Sequence, residues 1–456
     1  MKQILKCYIF LSIIFLTSCE KLVSIDPPAN QAIAKTVFNN EQTAESAITG
    51  LYSSMSIATT SLSTTAITRL CGLSADEIEN NASIQFDEFY QNAISSANST
   101  VSGSLWTSAY NFIYQANAIV EGLNASQNMS TESVNQIMGE ALFLRAFNYF
   151  YLVNIFGDVP LVLETDYTKT TQLPRTPTAQ VYAQIIADLK SAQNLLKPQY
   201  PSSTKARANA HAATALLARV YLYTQMWSEA ETEATMVIES GAYSLPAVNI
   251  VFLSNSAEAI WQLIPLPATA NTAIAGIFIP ATATAIPTHP VTTSLVTSFE
   301  GNDLRKTNWL AQRIVSEKTY YYPNKYKVRT GTNVPVTEYL VMMRLAEVYL
   351  IRAEARAMQE KLSLAIGDVD SVRKRAGLAV LGLIGKDQLK AAIQKERRAE
   401  LMCEWGHRWF DLKRTETINN VLNEAKPGWT PTAALYPIPL NQIMINGKLT
   451  QNSGYN

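Results

Sequence analysis

Charge is scarce in this chain. Charged residues make up 16% of its 456 positions, where a soluble domain ordinarily carries about a quarter. Basic and acidic residues balance at 37 each, so the basic excess that a nucleic-acid partner would require is missing. Losing Lys2 and Lys6 with a leader would make the remainder slightly acidic. Histidine occurs three times, as His211, His289 and His407, too far apart in sequence for a paired zinc motif. Four cysteines are present. Cys7 and Cys19 lie in the leader, and Cys71 with Cys403 does not make a disulfide scaffold. Cys403 is expected as a buried thiol on the helix before Gly406. After the leader no apolar run reaches the roughly 20 residues of a membrane span. Polarity comes instead from Ser, Thr, Asn and Gln, and aromatics are well supplied, with 21 Tyr and 7 Trp. Such rings offer a flat apolar face and a polar handle, which suits a neutral polar ligand and helix packing alike.

The first residues give an address. Lys2 and Lys6 precede the apolar run Ile9 to Leu16, and Leu16-Thr17-Ser18-Cys19 follows. A basic start, a short apolar core and small residues before a cut predict a secretory signal peptide over residues 1–18. The placement of Cys19 resembles a bacterial lipobox, which implies lipidation at Cys19 and a soluble body on a tether.

Helical periodicity dominates the rest. Ala44, Ala47, Ile48, Leu51, Tyr52 and Met55 share a face over 41–55. Further helices are predicted from Trp106 to Leu123, from Ser130 to Phe156 (stopped by Gly157), from Thr178 to Leu196 and from Ala206 to Met226. Others run from Ser228 to Glu239, from Glu338 to Gln359, from Ser363 to Ala376 and onward from Lys386. Leu144-Arg145-Ala146-Phe147, Ala218-Arg219-Val220-Tyr221 and Ala346-Glu347-Val348-Tyr349 echo one another. Each lies in a helix followed by a turn and another helix, as in a tetratricopeptide-type stack.

Two stretches interrupt the helices. Ala58 to Ser104 is dense in Ser, Thr and Asn and reads as surface loop with short helices, where function is often placed. Ser240 to Phe299 has one charged residue, Glu258, and six prolines. Ile260 to Ile264 reads as a short strand, and Pro265 to Pro290 as a meander that its prolines keep from being a regular helix. Tyr320, Tyr321, Tyr322 and Tyr326, beside Lys325 and Lys327, form either a cover on the core or a stacking platform.

The most charged segment lies near the end: Glu396-Arg397-Arg398-Ala399-Glu400-Leu401, then Glu404-Trp405-Gly406-His407-Arg408-Trp409-Phe410-Asp411 to Arg414. Its carboxylates and His407 could be read as catalytic. The arginines interleaved with them suit fixed bidentate pairs better, so the segment is expected to lock a helix on the core with Trp405 and Trp409 packed beside it. No catalytic, metal-binding or cofactor-binding residue is assigned.

Taken together, the Cys19 leader, Gly139 to Ala146 leading to Gly157-Asp158-Val159-Pro160, Arg344 to Leu350 with Arg352 to Ala355, Glu396 to Arg414, Tyr436-Pro437-Ile438-Pro439 and Gln451 to Tyr455 resemble the SusD/RagB family of nutrient-binding outer-membrane lipoproteins of Bacteroidetes. The resemblance runs nearly end to end. It implies a mainly α, SusD-like fold in which four tetratricopeptide-like helix pairs support an irregular ligand-binding region. The scaffold would cover about 41–55, 106–240 and 338–414 of a single domain at 20–456. Variable insertions would lie at about 58–104 and 241–327, with an irregular tail at 427–456. It implies capture of a glycan or other small nutrient without catalysis. The partners implied are a SusC-like TonB-dependent outer-membrane transporter and outer-membrane lipid through Cys19, with the body facing the cell exterior. The family's ligand residues are not fixed motifs. Candidates are therefore taken from the insertions: Asp76, Asn80, Phe86, Tyr90, Asp303, Arg305, Trp309 and Tyr320. Other readings of the same scaffold are a peptide binder, a structural helical-repeat adaptor, or a glycoside hydrolase in which Asp76 and Asp303 meet across a cleft.

Overall fold

The computed structural model describes residues 37–57, 61–329 and 335–455; the predicted leader and Cys19 lie outside them. Helix α1 (Glu41–Ile57) buries Ala44, Ile48, Leu51, Tyr52 and Met55, the face its periodicity predicts. A π-turn at Leu62–Ala66 leads into α2 (Ile67–Ser74). Then come α3 (Ser108–Asn124), α4 (Thr131–Phe156), α5 (Thr178–Leu195), α6 (Ala210–Tyr223) and α7 (Trp227–Glu239). The second half adds α8 (Leu345–Met358), α9 (Leu362–Arg375), α10 (Lys386–Glu400) and α11 (His407–Arg414). No helix among the described residues is long and apolar enough to cross a membrane.

Four packed pairs make the scaffold: α1 with α3, α4 with α5, α6 with α7, and α8 with α9. Each pair also packs on the next, so the helices stack as a repeat array. Helices α4 and α6 are buried almost all round, from Gly139 to Phe156 and from Ala212 to Leu222. Such helices are central rather than amphipathic. Ser130 caps α4 by accepting from the Ser133 amide, and Gly157 ends it at φ +72°. The three echoed sequences fall on α4, α6 and α8, and their charged positions make ion pairs. Arg145 reaches Asp188 on α5 at 2.7 Å, and Arg219 reaches Glu347 on α8 at 2.6 Å. The echo therefore marks where neighbouring helices are tied together.

Three expectations need correction. Glu338 to Gln359 is not one helix. Its first part is strand β4 (Leu340–Arg344), antiparallel to β1 (Ala259–Leu263), and α8 starts directly after it. All five residues of each strand are buried, so the run Leu340 to Met343 shows neither helical nor alternating periodicity. Ala58 to Ser104 is not mainly surface loop either, for residues 61–78 are interior. Their hydroxyls are satisfied inside the fold: Ser63 donates to the Met55 carbonyl at 2.7 Å, and Ser74 lies 2.7 Å from the Tyr436 hydroxyl. Cys403 is buried but sits in the turn between α10 and α11 with φ +51°, and both it and Cys71 are free thiols.

Residues 265–290 form the irregular meander their prolines predict, with one short helical turn at Ile274–Phe278. A hairpin of β2 (Leu310–Val315) and β3 (Lys318–Pro323) turns at Ser316 and Glu317, both at positive φ. Two positive φ values in a two-residue loop match the twist of the strands they join.

Candidate functional site

The charged segment is scaffold. Arg344, at the start of α8, reaches Glu258 at 2.7 Å, Glu400 at 2.5 Å and Glu404 at 2.7 Å. Glu400 also takes Arg305 at 2.9 Å and Arg375. Asp411 takes Arg397 and Arg414, each at 2.8 Å. Burial opposes charge on Glu400, but the guanidiniums of Arg375, Arg344 and Arg305 outweigh it and hold its carboxyl well below the usual range. His407 is buried, and that burial draws its imidazole down to about 4 against the pull of Glu347, 3.9 Å away. Trp405 donates to the Val341 carbonyl at 2.8 Å, and Trp409 packs on Trp429 and Tyr436. Glu258, alone in its uncharged stretch, is a counter-ion for Arg344 and Arg375.

Five nominated residues belong to the interior, which corrects their assignment as ligand contacts. Asp76 is bound by Arg398 and Arg408, each at 2.7 Å. Asp303 caps the short helix Leu304–Trp309 and pairs with Arg305 at 2.8 Å. Arg305 in turn reaches Glu396 at 2.6 Å. Trp309 is fully buried, donates to the Val248 carbonyl at 2.8 Å, and lies beneath the Lys325 ammonium at 4.6 Å. Phe86 is buried edge-on against His289, with ring centroids 5.7 Å apart. The physical reason is shared by the charged residues among them. In a chain poor in charge, the acids and arginines of the insertions serve as counter-ions for α10 and α11. With both carboxylates committed to guanidiniums, Asp76 and Asp303 do not form the hydrolase pair.

Asn80, Tyr90 and Tyr320 remain nearer the surface, and the fold brings their segments together. The Glu79 amide donates to the Pro290 carbonyl and the Asn81 amide to the Thr288 carbonyl, both at 2.8 Å. The Val291 amide donates to the Tyr321 carbonyl at 2.8 Å. Residues 77–91, 287–292 and the β2–β3 hairpin thus form one continuous face. Asn80 is fixed by donating to Asp87 at 2.6 Å and to the Ser83 carbonyl at 2.9 Å. The Lys426 ammonium lies 3.7 Å from the Tyr90 ring centroid and that of Lys318 4.7 Å from Tyr320. Asn81, Ser83 and Thr288 are exposed on this face, with Ile84 and Ile314 among them. Sequence reading sets Tyr321 in a possible stacking platform but nominates neither it nor Thr288 as a contact, because nothing local shows that these segments pair. A separate cleft of about 320 Å³ between α1 and residues 263–268 is largely apolar, lined by Leu263, Ile264, Leu266 and Ala268. Among the described residues no group of His, Cys, Asp and Glu is arranged to hold a metal ion.

Two family models match the sequence. One, described as starch-binding associating with outer membrane, covers residues 26–222. The other, described as the SusD family, covers residues 300–455. A SusD-like protein of Formosa agariphila is 26% identical over 98% of both chains. The starch-binding protein SusD of Bacteroides thetaiotaomicron is 32% identical over 29% of this chain and 23% of its own length. A SusD superfamily structure from Bacteroides vulgatus superposes with a TM-score of 0.81 at 23% identity, covering 92% of this chain and all of its own. A laminarin-binding SusD-like protein gives 0.75 at 23% identity, covering 91% of this chain and all of its own. Joined to the helix-pair scaffold and the buried α10–α11 ion pairs, these matches at both ends mean that the chain belongs to the SusD/RagB family.

Proposed function

We propose that the chain is a non-catalytic glycan-binding lipoprotein of the outer membrane, exposed to the cell exterior. It captures an oligosaccharide and passes it to a partner TonB-dependent transporter. One observation carries this reading: the face built from residues 77–91, 287–292 and 312–323. Its exposed groups are mostly hydroxyls and amides interleaved with tyrosine rings and isoleucines. Neutral donors and acceptors among flat apolar surfaces match a sugar, which presents hydroxyls at its edges and C–H groups on its faces. The starch-binding description of the family and the laminarin-binding neighbour support the same ligand class. Asn80, Tyr90 and Tyr320 are the proposed contacts. Lipid on Cys19 would tether a body that has no membrane-crossing helix among its described residues.

Calorimetric titration with maltoheptaose and laminarihexaose tests the reading. Binding without product is expected, and Tyr320→Ala should weaken it about tenfold, equivalent to about 1.4 kcal/mol. Release of shorter sugars would refute the non-catalytic assignment. Cys19→Ser should move the protein out of the membrane fraction, and affinity purification from membranes should recover the transporter.

A further inference from the structure

The interior arginines are held by carboxylates, as Arg145 is by Asp188, Arg219 by Glu347, Arg397 by Asp411 and Arg408 by Asp76. Arg69 on α2 is different. It is half-buried, and its Nε is fully enclosed without a hydrogen-bond partner. Its guanidinium carbon lies 4.3 Å from the centroid of Phe86, whose ring meets His289 edge-on. Among the described residues it has neither an ion pair nor a hydrogen bond. His289 cannot serve as counter-ion, because an imidazole is neutral or cationic and never anionic; burial draws it down to about 4, so it adds no second positive charge at neutral pH. Burial also lowers Arg69 itself to about 10, with no carboxylate opposing, so it stays cationic at neutral pH. Burying a charge without a partner is costly, and a guanidinium fork stacked on a ring is pre-oriented for two parallel hydrogen bonds to an oxyanion. Phe86 and His289 join Arg69 to the paired segments 77–81 and 288–291 of the proposed ligand face.

We propose that Arg69 is an anion-recognition residue of this face, and that the glycan it selects carries an oxyanion, either a uronate carboxylate or a sulfate ester. The inference rests on the reading of the face as a glycan site. The test uses the full chain and calorimetry at low ionic strength, where charge pairing is least screened. The probes are trigalacturonate, sulfated laminarihexaose, neutral laminarihexaose and maltoheptaose. One acidic probe should bind at least tenfold tighter than the neutral ones, and which one does so identifies the anion. Arg69→Met should abolish that preference while lowering the thermal midpoint by no more than about 4 °C, since no ion pair or hydrogen bond is lost and only the stack on Phe86 is given up. Arg69→Lys should keep part of it, charge without the fork. Neutral probes binding as tightly as acidic ones, or a preference that survives Arg69→Met, would overturn the proposal and leave the glycan reading standing. Binding of none of the four would overturn both.

Discussion

At single residues the structure is least forgiving around Gly406. Its φ is +68°, and a Cβ there would lie 2.8 Å from the Cys71 Cβ. Gly406→Ala combines left-handed strain with overpacking and should cost about 2 to 4 kcal/mol in denaturant unfolding. His407 gives a pH signature. Its folded value of about 4 lies below the ordinary 6.5, so between those values the unfolded chain binds a proton that the folded chain refuses. Stability must then fall as pH drops through that window. His407→Gln should flatten the slope of stability between about pH 6.5 and pH 4, while sugar binding at pH 7 is retained in the folded variant. The tyrosines were harder to rank from sequence. Tyr320 and Tyr322, two residues apart, project from the same face of β3, yet Tyr322 is buried and Tyr320 only half so, because burial rises along the strand from the exposed turn at Ser316 and Glu317 towards the core.

Among the elements, α10 is the clearest case of chemistry readable in advance. Acids and arginines interleaved at helical spacing predicted ion pairing. Which partners they take depends on chain far away, since Glu400 meets Arg305, Arg344 and Arg375. Glu400→Gln should leave those guanidiniums short of counter-charge and cost about 3 to 5 kcal/mol, read from the unfolding midpoint. The pairing of β1 with β4 is half legible: the residues of β1 read as a strand, while those of β4 read as the start of a helix. Both faces of β4 are covered, and full burial erases the periodicity that separates strand from helix.

At the scale of the whole molecule, one hydrophobic cluster extends from Phe38 to Leu449. The tail looks irregular but belongs to it. Tyr436 is fully buried, its amide donates to the Ile155 carbonyl at 2.9 Å, and Asn452 takes Arg175 at 2.6 Å. Deleting residues 427–456 should therefore abolish the cooperative unfolding transition followed by circular dichroism, whereas Tyr320→Ala should leave that transition in place. The sequence by itself determined the helical class, the repeat scaffold, the family resemblance and the structural part of the charged segment, because helix periodicity, caps and ion-pair spacing are local. Only the tertiary structure decided which nominated residues are buried counter-ions and which insertions meet to make a face. It also left Arg69, among the described residues, with neither a carboxylate nor a hydrogen-bond partner beside that face. Burial and charge pairing depend on residues hundreds of positions apart, and no local pattern in the sequence records them.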